Sequence, residues 1–299
     1  MVVLGAAAGG GFPQWNANNA ACRRARAGDP AAPARTQCSI AITEDGEHWT
    51  VVNASPDLRQ QIEARSMLHP RGALRHSPLA AVILTGGEVD AVAGLLHLRE
   101  RQAFTLFATA RVHAVLRANP IFDALSAEHV TRRAVPLDQP FDLPGGLTAE
   151  LFAVPGKVPL YLERAGDDDM SGEAEDTAGL RIASAAGPAV FFIPGCARIP
   201  ASLADRLRGA ALVLFDGTLW TDDEMIREGS GEKTGARMGH MSVAGPRGTM
   251  AAFRDLGVRR KVLIHINNSN LLLLDDSPER TAAERAGWEV AYDGMEIVP

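Results

Sequence analysis

Apolar residues along this chain gather into short runs, each bounded by Gly, Pro, Asn, Asp or Ser. The runs are residues 2–4, "CSIAIT" (38–43), "WTVVNAS" (49–55), "LAAVILT" (79–85), "FTLFAT" (104–109), "LTAELFAV" (147–154), "GLRIAS" (179–184), "AVFFIPG" (189–195), "ALVLFDGT" (211–218) and "KVLIHIN" (261–267). Rich in β-branched and aromatic residues and only a few positions long, they predict strands. Between them the apolar spacing changes to the helical period in "DLRQQIEAR" (57–65), "VAGLLHLRE" (92–100), "ARVHAVLRAN" (110–119), "ASLADRLRGA" (201–210) and "PRGTMAAFRDLG" (246–257). Ser55, followed by Pro56, is placed to cap the first of these helices. Consecutive strands at the start, then strands alternating with helices in each half, predict an α/β fold. The expected form is an αββα sandwich of two mixed β-sheets flanked by helices, one domain over residues 1–299.

Two stretches interrupt the pattern. "GAAAGGGF" (5–12) follows the first strand as a dinucleotide loop would, but its spacing is not G-x-G-x-x-G, and Pro13 and Trp15 stand where a helix should begin. "AGDDDMSGEAEDTAG" (165–179) is acidic and Gly-containing and is expected as a solvated loop between two strand regions.

Composition narrows the function classes. With 46% apolar residues among 299, the chain can bury a sizeable core. Its net charge is -6 and its Lys and Arg are scattered, so no nucleic-acid footprint is present, and a small polar ligand or a protein partner is expected. No apolar run approaches the roughly 20 residues of a membrane span, and "MVVLGAAAGGGF" lacks the charged start of a secretion signal, so a cytoplasmic location is expected. Cys22, Cys38 and Cys196 are too scattered for a disulfide framework and are expected as reduced thiols.

Candidate chemistry lies at strand ends. In "ILTGGEVDAVAGLL" (83–96) a strand runs through a Gly turn into Glu88 and Asp90 before a helical pattern. Asp216 ends "LVLF"; there it either caps a turn or takes a ligand. His265 follows a strong strand, with Ile264 and Ile266 expected on the opposite face from its side chain, and reads as a ligand or an acid/base. His240, in the Gly-rich "KTGARMGHM", either holds its loop or joins the site. Carboxylates and imidazoles without paired cysteines suit Fe(II), Mn(II) or Zn(II). His48, His69, His76, His97, His113 and His129 read as surface residues, and Lys157, after a Pro-Gly turn, either is solvated or reaches an anionic ligand. No G-x-S-x-G elbow, P-loop or zinc knuckle occurs, which disfavours acyl-serine chemistry and nucleotide hydrolysis.

Several stretches, in order and over nearly the whole chain, resemble the coenzyme PQQ synthesis protein B family: "VLGAAAGGGFPQWN", "RTQCSIAI", "NASPDLRQQI", "LRHSPLAAVILTGGEVDAVAGLLHLRE", "FAVPGKVPLYLE", "FIPGCARI", "LFDGTLWTDDEMI", "KTGARMGHMSV" and "HINNSN". The resemblance implies the metallo-β-lactamase-like αββα fold and a role in making pyrroloquinoline quinone (PQQ). The proposed reaction is iron-dependent hydroxylation of the tyrosine of a Glu-Tyr precursor; the alternative is a carrier of PQQ or its precursor. In the superfamily pattern His-x-His-x-Asp-His, the leading histidines align with Gly86 and Glu88, the Asp with Asp90 and the last His with Ala91. Relatives already lack the first two, but they keep the last.

The family's Cys-x-Cys-x-x-Cys zinc site is here Ala17, Asn19 and Cys22, so no structural zinc is expected. Its "NNTNP"-like segment is here "NNSNLLLL". The resemblance thus implies a metal site of Glu88, Asp90, Asp216, His240 and His265, with His240 and His265 also as catalytic acid/base. Lys157, Arg198 and Lys233 are the expected partners of the anionic cofactor, and a homodimer is compatible with this reading. A hydrolase of the wider superfamily is disfavoured by Gly86 and Ala91.

Overall fold

The computed structural model describes residues 1–163, 174–185 and 187–298, and within these the strands form two sheets. The first holds β1 (Val2–Gly5), β2 (Ser39–Ile42), β3 (Trp49–Val52), β4 (Leu79–Ile83), β5 (Phe104–Ala108) and β6 (Val130–Ala134), hydrogen-bonded in chain order. The second holds β7 (Pro140–Asp142), β8 (Thr148–Ala153), β9 (Ala178–Ala183), β10 (Val190–Ile193), β11 (Leu212–Asp216), β12 (Arg260–Ile264) and β13 (Glu289–Val290), again with chain neighbours paired. Each sheet is mixed: β1 to β3 are antiparallel and β3 to β6 parallel, while β7 to β10 are antiparallel and β10 to β13 parallel.

Side-chain alternation along the strands builds the layers. Leu212 and Leu214 of β11 and Val262 and Ile264 of β12 enter a core shared with Ile40, Val52 and Ile83 of the first sheet. Val213, Phe215 and Leu263 point the other way, into a core closed by helices such as Ala201–Leu207 and Pro278–Arg285. Val51, Val82 and Leu106 do the same on the outer face of the first sheet, beneath the helices Leu58–Glu63 and Ala110–Ala118. The result is the αββα sandwich of two mixed sheets.

Several local expectations are corrected. Ser55 is not the cap of the helix Leu58–Glu63: its hydroxyl donates to Gln61 at 3.0 Å, Asp57 stands at the N-cap, and the Asp57 carboxylate accepts from Gln37. A side chain within the helix has taken the Ser55 hydroxyl, and a tertiary contact has taken the Asp57 carboxylate. The helical pattern over 92–100 becomes a single turn, Val89–Val92, and a 3-10 segment, Ala93–Leu98. There the chain is pinned by backbone bonds from Gly94 to Ala54 and from Ala54 to Ala91, both 2.8 Å. The expected helix over 246–257 shortens to Thr249–Ala252. His113 is buried, one ring nitrogen 3.1 Å from the Arg133 carbonyl, rather than on the surface. Most of the acidic stretch 165–179 lies outside the described residues, and its last residues enter β9. Among the described residues no helix is long and apolar enough to cross a membrane.

Candidate metal centre

The chain leaving the ends of β4, β11 and β12 brings the acids and imidazoles to one edge of the sandwich, where Asp90, His240 and His265 line a cavity of about 870 Å³. Asp216, last in β11, lies on the inter-sheet face of Leu212 and Leu214 and is fully buried. Its carboxylate is satisfied by the Cys196 amide (2.9 Å), the Thr218 amide (3.0 Å) and the Thr218 hydroxyl (2.7 Å). His240 Nδ1 lies 2.8 Å from the same carboxylate. Burial alone would push Asp216 up, but the charge and hydrogen bond of His240, with smaller help from His265 and Thr218, hold it below the usual carboxylate value.

His265 reaches the site by leaving the strand pattern. Its φ of 61° is left-handed, uncommon for a residue with a Cβ, so strict alternation ends at Ile264. Ile264 therefore faces the inter-sheet core and Ile266 the outer one, correcting the expectation that both lie opposite His265. The freed ring points between Thr218 Oγ1 (2.8 Å from Nδ1) and Asp90 Oδ2 (2.9 Å from Nε2), and stacks on His240 with centroids 5.2 Å apart. Burial lowers the His265 pKa, but Asp90 and then Asp216 outweigh it and raise it; Asp90 is lowered in turn, its burial outweighed by His265 and His240.

Asp216, His240 and His265 each offer a ligand atom within 4.8 Å of the others, and Asp90 joins through its contact with His265. Two imidazoles and two carboxylates held this closely are a donor set that fits a divalent metal. Glu88 is engaged elsewhere: it pairs with Lys157 at 3.1 Å and accepts from the Leu160 amide. Ala91 lines the cavity with a methyl group, and a Cβ at Gly86 would come a tight 3.2 Å from the Asp176 carbonyl. Lys157 and Lys233 line the cavity; Arg198 does not, and it is exposed.

Three residues after His265, Asn268 meets the helix Ala20–Arg26, which Asn19 caps: Cys22 Sγ lies 3.9 Å from Asn268 Oδ1, which is itself near Asn19. Gln14 accepts from Asn268 at 2.6 Å, so amides surround the one thiol, a donor set that does not suit zinc. Two contributors escaped the sequence reading. Thr218, bonded to Asp216 and close to both imidazoles, was legible as the turn residue of "FDGT". Glu163, which bridges the two lysines, carries no local signal.

Fold and site together define a protein of the metallo-β-lactamase class, and residues 48–266 match the family model of the beta-lactamase superfamily domain. A coenzyme PQQ synthesis protein B of Gluconacetobacter diazotrophicus is 64% identical over 99% of this chain and 98% of its own. Another, of Methylorubrum populi, is 52% identical over 99% of each. The crystal structure of Zn(2+)-bound PqqB from Methylobacterium extorquens superposes with a TM-score of 0.97 at 49% identity, covering 100% of this chain and 99% of that one. The chain belongs to the coenzyme PQQ synthesis protein B family.

Proposed function

We propose that this protein serves PQQ biosynthesis by metal-dependent hydroxylation of the tyrosine ring of a Glu-Tyr precursor, a small peptide or dipeptide. The observation that carries the reading is the Asp216, His240 and His265 group, with Asp90 beside it, on the floor of a cavity of about 870 Å³ in a chain of this family. Asp90, Asp216, His240 and His265 would hold the metal; Glu88, paired with Lys157, is the outermost candidate. Bound there, Fe(II), Mn(II) or Zn(II) supplies Lewis acidity, and iron also supplies redox chemistry with dioxygen.

The chain's own groups do the rest. His265 Nε2, 2.9 Å from Asp90, would hold a proton there, and Thr218, near a nitrogen of each imidazole, would orient both rings, so His240 and His265 would serve as the acid/base pair for the phenol. Replacing a ring hydrogen by hydroxyl with dioxygen also yields water, so the balance takes two electrons and two protons from an external reductant. The free, buried thiols of Cys22, Cys38 and Cys196 support a reducing, cytoplasmic setting, and the core shared by both sheets supports one domain over 1–299.

Protein reconstituted with Fe(II) should hydroxylate a Glu-Tyr peptide under air with a reductant, and Asp90→Ala should stop it. Equal turnover by metal-free protein removes the reading. A second reading, a carrier of PQQ or its precursor without chemistry, is favoured by Ala91, where a ligand is missing. Micromolar PQQ binding without bound metal or turnover would establish it.

A further inference from the structure

The cavity is acidic at its floor and basic along one wall. Asp90 lines the floor and Asp216 is buried behind it against Thr218 and His240, while the wall carries Lys157 from the loop after β8 and Lys233 from the loop after β11. Both ammonium groups hold one carboxylate: Glu163 Oε1 lies 2.8 Å from Lys157 and Glu163 Oε2 lies 2.5 Å from Lys233. Each oxygen thus takes a different cation, the arrangement a carboxylate adopts in a two-point receptor. Glu163 itself is not part of the cavity lining.

Lys157 is anchored apart from Glu163. Its ammonium also donates to Glu88 at 3.1 Å and to the Val158 carbonyl at 3.3 Å, which uses its three protons. Burial would lower its pKa, but Glu163 and Glu88 together raise it, so it stays charged. Its side chain is 15% exposed and that of Lys233 42%, so one cation is fixed and the other faces solvent. Along the same wall Val89, Pro159, Leu160, Met225 and Met238 present apolar surface.

We propose that Lys157 and Lys233 form a receptor for a carboxylate of the cavity's ligand, and that Glu163 is its resident occupant, displaced when the ligand binds. The physical case rests on exchange. The Lys233 end of the clasp is partly exposed, where ion pairs are weak, and an incoming carboxylate regains both charge-assisted bonds. The acidic floor repels that carboxylate, so the ligand lies with its anionic end at the lysines and its apolar body over the metal-binding groups. The ligand class is a carboxylate with an apolar body. Only its physiological identity rests on the function proposed above.

Calorimetric titration of the full-length protein with 1,2,4-benzenetricarboxylate, and with the neutral 1,2,4-benzenetricarboxamide, tests the receptor. Glu163→Gln is expected to bind the tricarboxylate about ten-fold tighter, and Lys233→Met about ten-fold more weakly, with Lys157→Met at least as weak. The triamide should not distinguish the variants. Lys233 is exposed enough that its substitution leaves the fold intact even where Lys157→Met does not. A tricarboxylate affinity unchanged or lower in Glu163→Gln, or unchanged in Lys233→Met, overturns the proposal: Glu163 is then a structural clasp. PQQ titrated in parallel separates the two claims. Tricarboxylate following the pattern while PQQ fails to bind keeps the receptor and removes the carrier reading, hydroxylation being tested by turnover as above; PQQ binding that ignores all three substitutions removes the receptor.

Discussion

At the residue scale the proposed metal site depends on groups that hold its candidate ligands as much as on those ligands. Thr218 has one hydroxyl proton and lies within 3.1 Å of an oxygen of Asp216 and a nitrogen of each imidazole. Thr218→Val keeps the shape but strips one donor from a fully buried carboxylate, so it should cost about 1–3 kcal/mol in chemical denaturation and weaken Zn(II) binding by titration. Ala91 is the reverse case. Its methyl lines the cavity one residue after Asp90, and Ala91→His should raise Zn(II) affinity by on the order of ten-fold, read by competition with a chelating dye. Glu163 adds a pH dependence. Hydrogen bonds from Lys157 and then Lys233 hold it below its ordinary 4.5, so it stabilises the fold above that value and the contribution is lost as pH falls through the lowered one. The stability gap between the native chain and Glu163→Gln should therefore be open at neutral pH and close in strong acid, measured by urea unfolding at each pH. Asp90, Asp216, His240 and His265 were legible from the sequence because each ends a strand or follows a Gly turn. Glu163 and Thr218 matter through contacts across the chain, which local pattern does not encode.

At the element scale, the loop between β4 and the 3-10 segment Ala93–Leu98 carries Asp90 and is set by backbone rather than by side chains. Gly94 sits so close to the strand-end loop that a Cβ would come 2.0 Å from the Ser55 carbonyl. Gly94→Ala should thus destabilise the protein by roughly 2–4 kcal/mol, seen as a lowered thermal midpoint, and should displace Asp90 enough to reduce metal uptake. The same contact explains why a helical apolar pattern over 92–100 yields a 3-10 segment: docking on Ala54 and Ser55 outweighs helix propensity. The edge strands β6, β7 and β13 were not read as strands, β7 being three residues that begin with proline. β6 (VTRRA) holds two arginines and β13 only two residues, so neither shows the apolar run by which central strands are found.

Across the whole molecule the site ties the two halves of the chain together, since Asp90 belongs to the first sheet's loops while Asp216 and His265 belong to the second's. A metal held between them should stabilise the fold as a whole. Zn(II) at a hundred times its dissociation constant should add about 2.7 kcal/mol, raising the thermal midpoint, and stripping it with a chelator should reverse the gain; Asp216→Ala should show no such response. Strand and helix periodicity was enough to specify the layers, because burying one face of each element has few solutions. The residue types at strand ends likewise marked the acids and imidazoles, and the ordered motifs marked the family. What only the tertiary structure decided was which of these groups meet. The left-handed turn at His265 swings its ring to Asp90, 175 positions away in the chain. Lys157 pairs with Glu88, and Glu163 joins two lysines from separate loops. Those outcomes follow from packing and charge balance between distant segments, which no local pattern contains.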